Sequence, residues 1–324
     1  MEVLSRRDFI MTAGAAAGCA TSPTARNEMC AGEFDEHSAV LVSDTHVGKS
    51  GSRHRIEAFE WTIREILAMR PLPRHLIHFG DMSLLTGKVE DYAISKPLLD
   101  RVRAAGIHVT VAMGNHDRRS AYLEVFGDEV ARQSPVPGRL VSVVEMPEVG
   151  IVMLDSLAGK DDVEKRPVDG DLSKEQQDWL MAFLSKRTKP VIVAAHHPMD
   201  QLKVGERQIA YSIVYNPAVV GFMHGHWHSW MRGWINAEWK THSMLHSIGL
   251  PSCGCDGDIG YCMMRTFPDR VEVELRQRDF YLPGPYRGKD RPPQWDRRVA
   301  ENMASPVSIL YFERFAKKPP QKTA

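Results

Sequence analysis

Between residues 39 and 112, short apolar runs alternate with amphipathic segments, and this alternation restricts the fold more than any other feature of the sequence. Residues 39–42, 75–79 and 107–112 have the composition of buried β-strands. Apolar side chains recur at helical spacing over residues 53–69 and 89–105, which predicts a helix between each pair of strands. Strand–helix–strand units of this kind pair in parallel through right-handed crossovers, so the pattern predicts an α/β fold.

The second half of the chain is richer in strands than in helices. A helix is predicted over residues 173–185, with Ser173 as its N-cap and Gln176 completing a capping box. The predicted strands cover residues 140–145, 150–154, 191–195, 219–223, 260–266 and 271–275. We therefore expect two mixed β-sheets packed face to face and flanked by helices.

The length of 324 residues allows one large α/β domain or two modest ones. We assign residues 35–278 to a single α/β domain. Residues 279–324 are rich in proline and charge and form a predicted C-terminal extension. Residues 307–315 are apolar enough to dock on the domain, and the rest of the extension is expected to be irregular.

The charge balance excludes one class of partner. The 41 Lys and Arg residues match the 41 Asp and Glu residues, so the formal net charge is zero. A nucleic-acid polymer or an anionic membrane surface requires a basic field over much of the chain. Any anion that this protein binds must therefore be held by a local site.

Residues 1–30 resemble an export signal followed by a linker. Ser5-Arg6-Arg7-Asp8-Phe9-Ile10 is similar to the twin-arginine consensus, and the apolar run after it is shorter than the ~20 residues that span a bilayer. Ala16-Ala17-Gly18-Cys19 resembles a degraded lipobox with Ala in place of the usual Leu, so Cys19 is a candidate lipid anchor. A short amphipathic helix is the alternative. We expect export by the twin-arginine machinery to the periplasm or cell envelope.

Five cysteines are present, at positions 19, 30, 253, 255 and 262. If Cys19 is removed or acylated, the other four could form up to two disulfides in an oxidising compartment. Free or partly paired thiols are the alternative. Cys253-Gly254-Cys255 lacks the second close pair that a zinc ribbon needs.

Residues of the types that bind metals follow five of the predicted strands. Because ligands bind at the carboxyl ends of strands in open α/β sheets, these residues should meet at one edge. Each motif alone is common in turns, but all five in this order are improbable by chance. The motifs are Asp44-Thr45-His46, Gly80-Asp81, Gly114-Asn115-His116-Asp117, His196-His197-Pro198 and Gly225-His226-Trp227-His228.

This set closely resembles the motifs of the calcineurin-like metallophosphoesterase superfamily, in family order, and the resemblance covers residues 39–266. Residues 170–180 and 249–252 are also similar to the bacterial cyclic-nucleotide phosphodiesterase branch. One departure is Leu85, since many relatives carry an acidic or amide residue near this position. The resemblance implies the α/β-β-α sandwich of the superfamily for residues 35–278.

The resemblance also implies a binuclear metal centre, and no other cofactor is expected. The implied ligands are Asp44, His46 and His228 for one ion and Asn115, His196 and His226 for the other, with Asp81 bridging both. His196 rather than His197 fits the His-x-Pro register, so His197 is expected to pack behind the site. A mixed set of His, Asp and Asn suits Fe, Mn, Zn or Co better than Ca.

Two such ions can clamp the attacking and leaving oxygens of a phosphoester and generate hydroxide near neutral pH. In the family, the histidine at the place of His116 faces the substrate and donates a proton, and Asp117 would orient its imidazole. We therefore expect a hydrolase that attacks with a metal-bound hydroxide and uses His116 as the proton donor.

The expected substrate is a small phosphodiester, with cyclic nucleotides and glycerophosphodiesters as candidates. A phosphomonoesterase is one alternative, and a non-catalytic, metal-binding exported protein is another. Residues 53–55 (Arg-His-Arg) could recognise phosphate or start a helix in solvent. Trp227, Trp230 and Trp234 could line the substrate pocket or pack in the core.

Overall fold

The computed structural model describes residues 33–49, 53–127, 129–159, 168–204, 206–236, 244–281 and 293–313. The predicted export signal and linker lie outside the described residues, as do Cys19 and Cys30. The same holds for residues 282–292 and 314–324 of the extension. Export, lipidation and the domain boundaries therefore stay predictions.

Six strands form the first sheet. They are β1 (Phe34–Val42), β2 (Leu72–His78), β3 (His108–Val111), β12 (Gly257–Phe267), β13 (Arg270–Tyr281) and β14 (Val307–Tyr311). Their spatial order is β14-β13-β12-β1-β2-β3. β1, β2 and β3 pair in parallel, whereas β12, β13 and β14 add antiparallel strands on the other side of β1. The sheet is therefore mixed, as predicted.

Six further strands form the second sheet, which is also mixed. They are β4 (Ser142–Glu145), β5 (Gly150–Met153), β7 (Val191–Ala195), β9 (Val219–His224), β10 (Met231–Asn236) and β11 (Met244–Gly249). Their spatial order is β10-β11-β9-β7-β5-β4. The antiparallel pairs lie at the two edges. Two short strands, β6 (Gly170–Asp171) and β8 (Leu202–Val204), pair separately.

Seven α-helices occur in the described part of the chain. They are α1 (Arg53–Ala68), α2 (Val89–Ala104), α3 (Arg119–Phe126), α4 (Glu129–Gln133), α5 (Lys174–Ser185), α6 (Glu206–Tyr215) and α7 (Pro293–Ala304). None of them combines the length and the apolar character that crossing a bilayer requires.

Three hydrophobic clusters divide the molecule into layers. Alternate residues of β1 face opposite ways, so Leu41 joins a cluster between the sheets that includes Met223. Val40 joins a second cluster, in which α1 buries Phe59 against the first sheet. α5 and α6 cover the other face of the second sheet in a third cluster. The predicted sandwich of two mixed sheets flanked by helices is confirmed.

Two local predictions are corrected. Ser173 lies at the N-cap of α5 but makes no cap hydrogen bond with its side chain. Gln176 instead pairs with the backbone of Asp155 through both of its side-chain polar atoms, at 3.0 and 2.9 Å. Helix α7 lies in the stretch expected to be irregular, because Arg298 and Asn302 hydrogen-bond to the buried carboxylate of Asp258. The predicted docking of residues 307–315 takes the form of β14, which pairs with β13.

Candidate metal centre

The seven predicted ligand residues lie together beyond the ends of five strands. Asp44 and His46 follow β1, Asp81 follows β2 and Asn115 follows β3; His196 follows β7, and His226 and His228 follow β9. The first three strands belong to one sheet and the last two to the other. Packing the sheets face to face therefore brings both sets of loops to one edge of the sandwich.

The backbone at this edge is unusual. Five of the seven residues adopt positive φ, and they are the only non-glycine residues that do so in the described part of the chain. The φ angles are 51° at Asp44, 44° at His46, 52° at Asp81, 69° at His226 and 51° at His228. This conformation is uncommon outside glycine and persists only where the surrounding structure enforces it. His226 and His228 thus reach the site from a loop in which both residues adopt the left-handed conformation.

Two glycines of the motifs are required by close approach. A Cβ atom on Gly114 would lie 2.2 Å from Asp81 Oδ1, and one on Gly225 would lie 2.1 Å from Ser43 Oγ. Neither contact is sterically possible. The motif glycines therefore let the loops that carry Asn115 and His226 approach the two carboxylates.

One group of ligand atoms surrounds Asp44. Its Oδ1 lies 3.2 Å from His228 Nε2 and 3.8 Å from His46 Nε2. The two imidazole nitrogens lie 3.2 Å apart. Three donor atoms from two sheets thus converge on one point.

A second group surrounds Asn115. Its Oδ1 lies 3.2 Å from His196 Nε2 and 3.0 Å from His226 Nδ1. Asp81 Oδ2 lies between the groups, at 3.2 Å from His196 Nε2 and 3.6 Å from His46 Nε2. One carboxylate oxygen of Asp81 therefore lies near a histidine of each group.

The donor set fits metal ions. Asp44 Oδ1 is buried and accepts no hydrogen bond, whereas Oδ2 accepts from Ser43 Oγ and the backbone N–H of His226. An unsatisfied buried carboxylate oxygen is costly, and a cation would satisfy it. His196 Nδ1 lies 2.8 Å from the carbonyl of Phe79, and His46 Nδ1 lies 3.3 Å from that of Leu84. Because a carbonyl only accepts, Nδ1 carries a hydrogen, and Nε2 is the nitrogen that remains to bind an ion.

Charge compensation in the metal-free protein comes from histidines. Burial alone would lower the pKa of His196, but the charge of Asp81 and its hydrogen bond raise this pKa to about 9. Burial would raise the pKa of Asp44, but the neighbouring His228 holds it below its usual range. Burial lowers the pKa of His46 and of His226 to about 4. Metal binding must therefore displace protons from His196 and from His228, whose pKa is also raised.

His116 borders the ligand groups. Its backbone N–H donates to Asp81 Oδ1 at 2.8 Å, and its ring centroid lies 4.8 Å from that of His46. Its Nδ1 lies 3.0 Å from the carbonyl oxygen of Leu85. Although the Leu85 side chain is 64% exposed and apolar, the backbone of this residue thus orients the imidazole.

The structure corrects the role predicted for Asp117. Its buried carboxylate accepts hydrogen bonds from the backbone N–H groups of Met82, Ser83 and Gly114 and from the Tyr92 hydroxyl. Burial and the charge of Asp81 raise its pKa. Asp117 therefore ties the loop after β2 to the loop after β3 and does not orient His116.

One ring nitrogen of His197 lies within 4.8 Å of one ring nitrogen each of His196 and His226. Its Nδ1 lies 2.8 Å from Ser156 Oγ, and its Nε2 lies 3.0 Å from the carbonyl of Val168. A Cβ on Gly170 would lie 2.7 Å from this ring, so the resembling stretch at residue 170 packs directly on His197. Both ring nitrogens have partners, in keeping with the predicted packing role.

The loop over residues 252–258 was missed as part of the site. Asp256 forms a short hydrogen bond with His228 Nδ1, which orients that ring. Ser252 Oγ donates to the carbonyl of Asp44 at 2.9 Å. The stretch 249–252 was singled out in the sequence, but no spacing rule connects Asp256 with a histidine 28 residues earlier.

The other candidates from the sequence are Arg53, which lies at the start of a helix, and three tryptophans, two of which line a cavity. Arg53 is exposed and pairs with Glu57 in the first turn of α1, as a solvated helix start does. Trp230 is buried, whereas Trp227 and Trp234 line a cavity of about 310 Å³. None of the seven ligand residues lines this cavity, and Trp227, whose ring lies 5.4 Å from that of His226, is the lining residue that connects it to the ligand groups.

Three of the five cysteines lie in the described part of the chain, and their positions show whether they pair with one another. Cys253, Cys255 and Cys262 are buried and free. Cys253 Sγ lies 3.3 Å from Thr62 Oγ1, and Cys262 belongs to the cluster between the sheets. No disulfide forms among these three.

Comparisons with known proteins agree with this geometry. A model of the calcineurin-like phosphoesterase family matches residues 38–230. The chain is 30% identical over 169 residues to a protein from Rhodococcus erythropolis named "Probable cyclic nucleotide phosphodiesterase". That match spans 50% of this chain and 52% of the relative, about half of its length. A dimetal phosphatase from Danio rerio has a similar fold, with a TM-score of 0.57 and 16% identity over 74% of this chain and 96% of that one.

Proposed function

The chain belongs to the calcineurin-like phosphoesterase family; within that family, we propose that it is a metal-dependent enzyme that hydrolyses small phosphodiesters at a binuclear transition-metal centre. The proposal rests mainly on the two ligand groups, which meet at Asp81 Oδ2. The unsatisfied Asp44 Oδ1 supports it independently. Ions of Fe, Mn, Zn or Co suit this mixture of nitrogen and oxygen donors.

When bound, the ions would neutralise phosphate charge and make water a nucleophile near neutral pH. The chain itself supplies the proton for the leaving group. Because Leu85 accepts from Nδ1 of His116, the Nε2 atom of this half-buried ring is available to hold and donate a proton. His116 would therefore protonate the departing alkoxide.

The cavity beside His226 supports a diester substrate. A phosphodiester carries two organic groups, and one of them must lie outside the metal centre. The cavity is walled in part by Trp227 and Trp234, whose rings can contact a base or another apolar group. The name of the Rhodococcus relative points to the same class, with cyclic nucleotides as candidates.

The test is a substrate panel run with elemental analysis. Bis- and mono-p-nitrophenyl phosphate, cyclic nucleotides and glycerophosphodiesters are compared on enzyme that contains about two metal ions per chain. A kcat/KM at least about tenfold higher for diesters is expected. The reverse ratio would make the protein a phosphomonoesterase.

A substitution at Gly233 can test whether the cavity binds substrate. It lines the cavity on β10, and a Cβ at this position would meet no atom within 4 Å. Gly233→Leu should therefore raise KM for diesters with a large second group by about tenfold and leave metal content unchanged. An unchanged KM for every diester would remove the cavity from the substrate site.

We also propose that the enzyme is exported by the twin-arginine pathway. The motif Ser5-Arg6-Arg7-Asp8-Phe9 supports this, although it lies outside the described residues. Replacing Arg6 and Arg7 with Lys should leave the protein in the cytoplasm of a host with that pathway. A shift in mass and detergent partitioning that depends on Cys19 would reveal a lipid anchor; unchanged export would contradict the proposed route.

A further inference from the structure

A buried thiol lies beside the first ligand group, and none of the roles described above involves it. Cys255 is 6% exposed and free. Its Sγ and one ring nitrogen each of His46 and His228 lie within 4.8 Å of one another. We propose that Cys255 is a further ligand, through its thiolate, of the ion held by Asp44, His46 and His228. This inference rests on the metal centre proposed above.

The unsatisfied oxygen of Asp44 is a second, independent indication of a cation at this place. Asp44 is fully buried, and its Oδ1 has no hydrogen-bond partner while lying 3.2 Å from His228 Nε2. Metal–nitrogen bonds of ~2.1 Å and metal–sulfur bonds of ~2.3 Å place ligand atoms up to ~4.4 Å apart around one ion. The ligand atoms of Cys255, His46 and His228, which lie within 4.8 Å of one another, are therefore spaced nearly closely enough to bind one ion.

The loop that carries the thiol is fastened to the strand end that carries Asp44. Cys253 donates its backbone N–H to the carbonyl of Ser43 at 2.8 Å. Ser252 Oγ accepts from the N–H of Cys255 at 2.7 Å and donates to the carbonyl of Asp44 at 2.9 Å. A Cβ on Gly254 would lie 2.7 Å from Ala58 Cβ, so α1 blocks outward movement of the loop. Cys255 is thus held at the site by the same backbone that positions Asp44.

A thiolate ligand changes which ion the site selects. Binding converts the thiol and a divalent ion into a metal thiolate and releases one proton to solvent. Sulfur favours Zn(II), Co(II) and Fe(II) over Mn(II), whereas the oxygen and nitrogen ligands discriminate less. The competing explanation is that Cys255 only hydrogen-bonds to His228, an interaction that contributes to the raised pKa of this histidine.

Cobalt substitution distinguishes the two explanations by a readout other than activity. The full chain loaded with Co(II) should show the near-ultraviolet absorption of a thiolate-to-Co(II) transition. Cys255→Ser should abolish this band and lower the affinity for Co(II) and Zn(II) by about tenfold or more, with a smaller loss for Mn(II). Cys253→Ser is the matched control, because Cys253 is equally buried in the same loop and faces Thr62.

The results separate the proposed role of Cys255 from the proposed metal centre. If the chain binds about two Co(II) ions and the band is absent, or survives in Cys255→Ser, Cys255 is not a ligand and the binuclear centre stands. If the chain binds no Co(II), Zn(II) or Mn(II), the proposed function itself fails. Should Cys255→Ser not fold, Cys255→Ala and the spectrum of the unaltered protein give the same decision.

Discussion

Asp44 and Asp155 are both fully buried, and each lies two residues beyond the end of a strand, yet their surroundings differ completely. Both oxygens of Asp155 are satisfied by Arg119, at 2.6 and 2.7 Å, and by the backbone N–H groups of Leu140 and Leu157. Asp44 retains a buried oxygen with no hydrogen bond, which faces two imidazoles. The chain thus satisfies Asp155 with hydrogen bonds, whereas Asp44 Oδ1 has only the imidazoles of His228 and His46 opposite it and can accept a bond from an ion.

The largest effect should follow from removing the carboxylate shared by the two ligand groups. Asp81→Asn should lower metal occupancy at both positions and reduce kcat/KM by about 10⁴-fold, because both ions contribute to charge stabilisation and to the nucleophile. Elemental analysis and single-turnover kinetics measure the two quantities. Full loading with two ions in the variant would contradict the bridging role.

The second-largest effect should come from His116, which borders the ligand groups but is not assigned as a ligand. His116→Ala should keep both metal ions and lose about 10²–10⁴-fold in rate on alkyl esters, since general acid help is removed. The loss should be smaller on nitrophenyl esters, whose leaving group needs little protonation. Equal losses on both esters would leave His116 with phosphate binding only, and loss of metal would make it a ligand.

Asp155→Asn should affect stability and not metal binding. It removes the carboxylate charge that pairs with the guanidinium of Arg119, and breaking a buried ion pair typically costs about 3–5 kcal/mol. Urea unfolding of the chelated protein measures this change in the free energy of unfolding. The comparison breaks down if Asp155→Asn loses metal while keeping its stability, because Asp155 would then belong to the site.

The smallest effect concerns pH. In the chelated protein, His196 keeps its proton up to about pH 9, whereas in the unfolded chain it loses the proton near its ordinary pKa of 6.5. The folded state therefore binds more protons between these values, and the free energy of unfolding should fall as pH rises. His196 alone should account for about 1 kcal/mol of this fall between pH 7.5 and 8.5, and His228, whose pKa is also raised, should add to it. The buried histidines with lowered pKa, such as His46, are almost wholly neutral in both states above about pH 7.5 and contribute little there.

Saturating metal supplies the control for this measurement. Once the ions have displaced the protons of His196 and His228, the downward slope should disappear. Unfolding curves at pH 7.5, 8 and 8.5, with and without metal, compare the two states. A chelated protein whose stability rises over this interval would show that these histidines are neutral when folded.

Much of the fold was accessible from the sequence because hydrophobic periodicity reports local geometry. The strands before Asp44, Asp81 and Asn115 and the helices α1 and α2 lie where the apolar patterns predict them. β10 and β11 were missed; in β10, which forms an edge of the sheet, Ile235 is the one buried residue of Met231–Asn236, so its apolar pattern is weak. Helix α7 was missed because its packing depends on Asp258, which lies far away in the sequence.

The sequence by itself determined which residue types follow the strands, and the parallel α/β pattern then placed those strand ends at one edge. Only the tertiary structure decided how each side chain is used. It assigned Asp117 to loop packing, gave the orientation of His116 to the Leu85 carbonyl, and brought Cys255 and Asp256 to the site. The reason is physical: a residue type and its spacing set what a side chain can donate or accept, but which partners satisfy it depends on contacts between segments far apart in the chain. Asp44 and Asp155 cannot be told apart by their position after a strand, and they differ only in whether the folded protein supplies those partners.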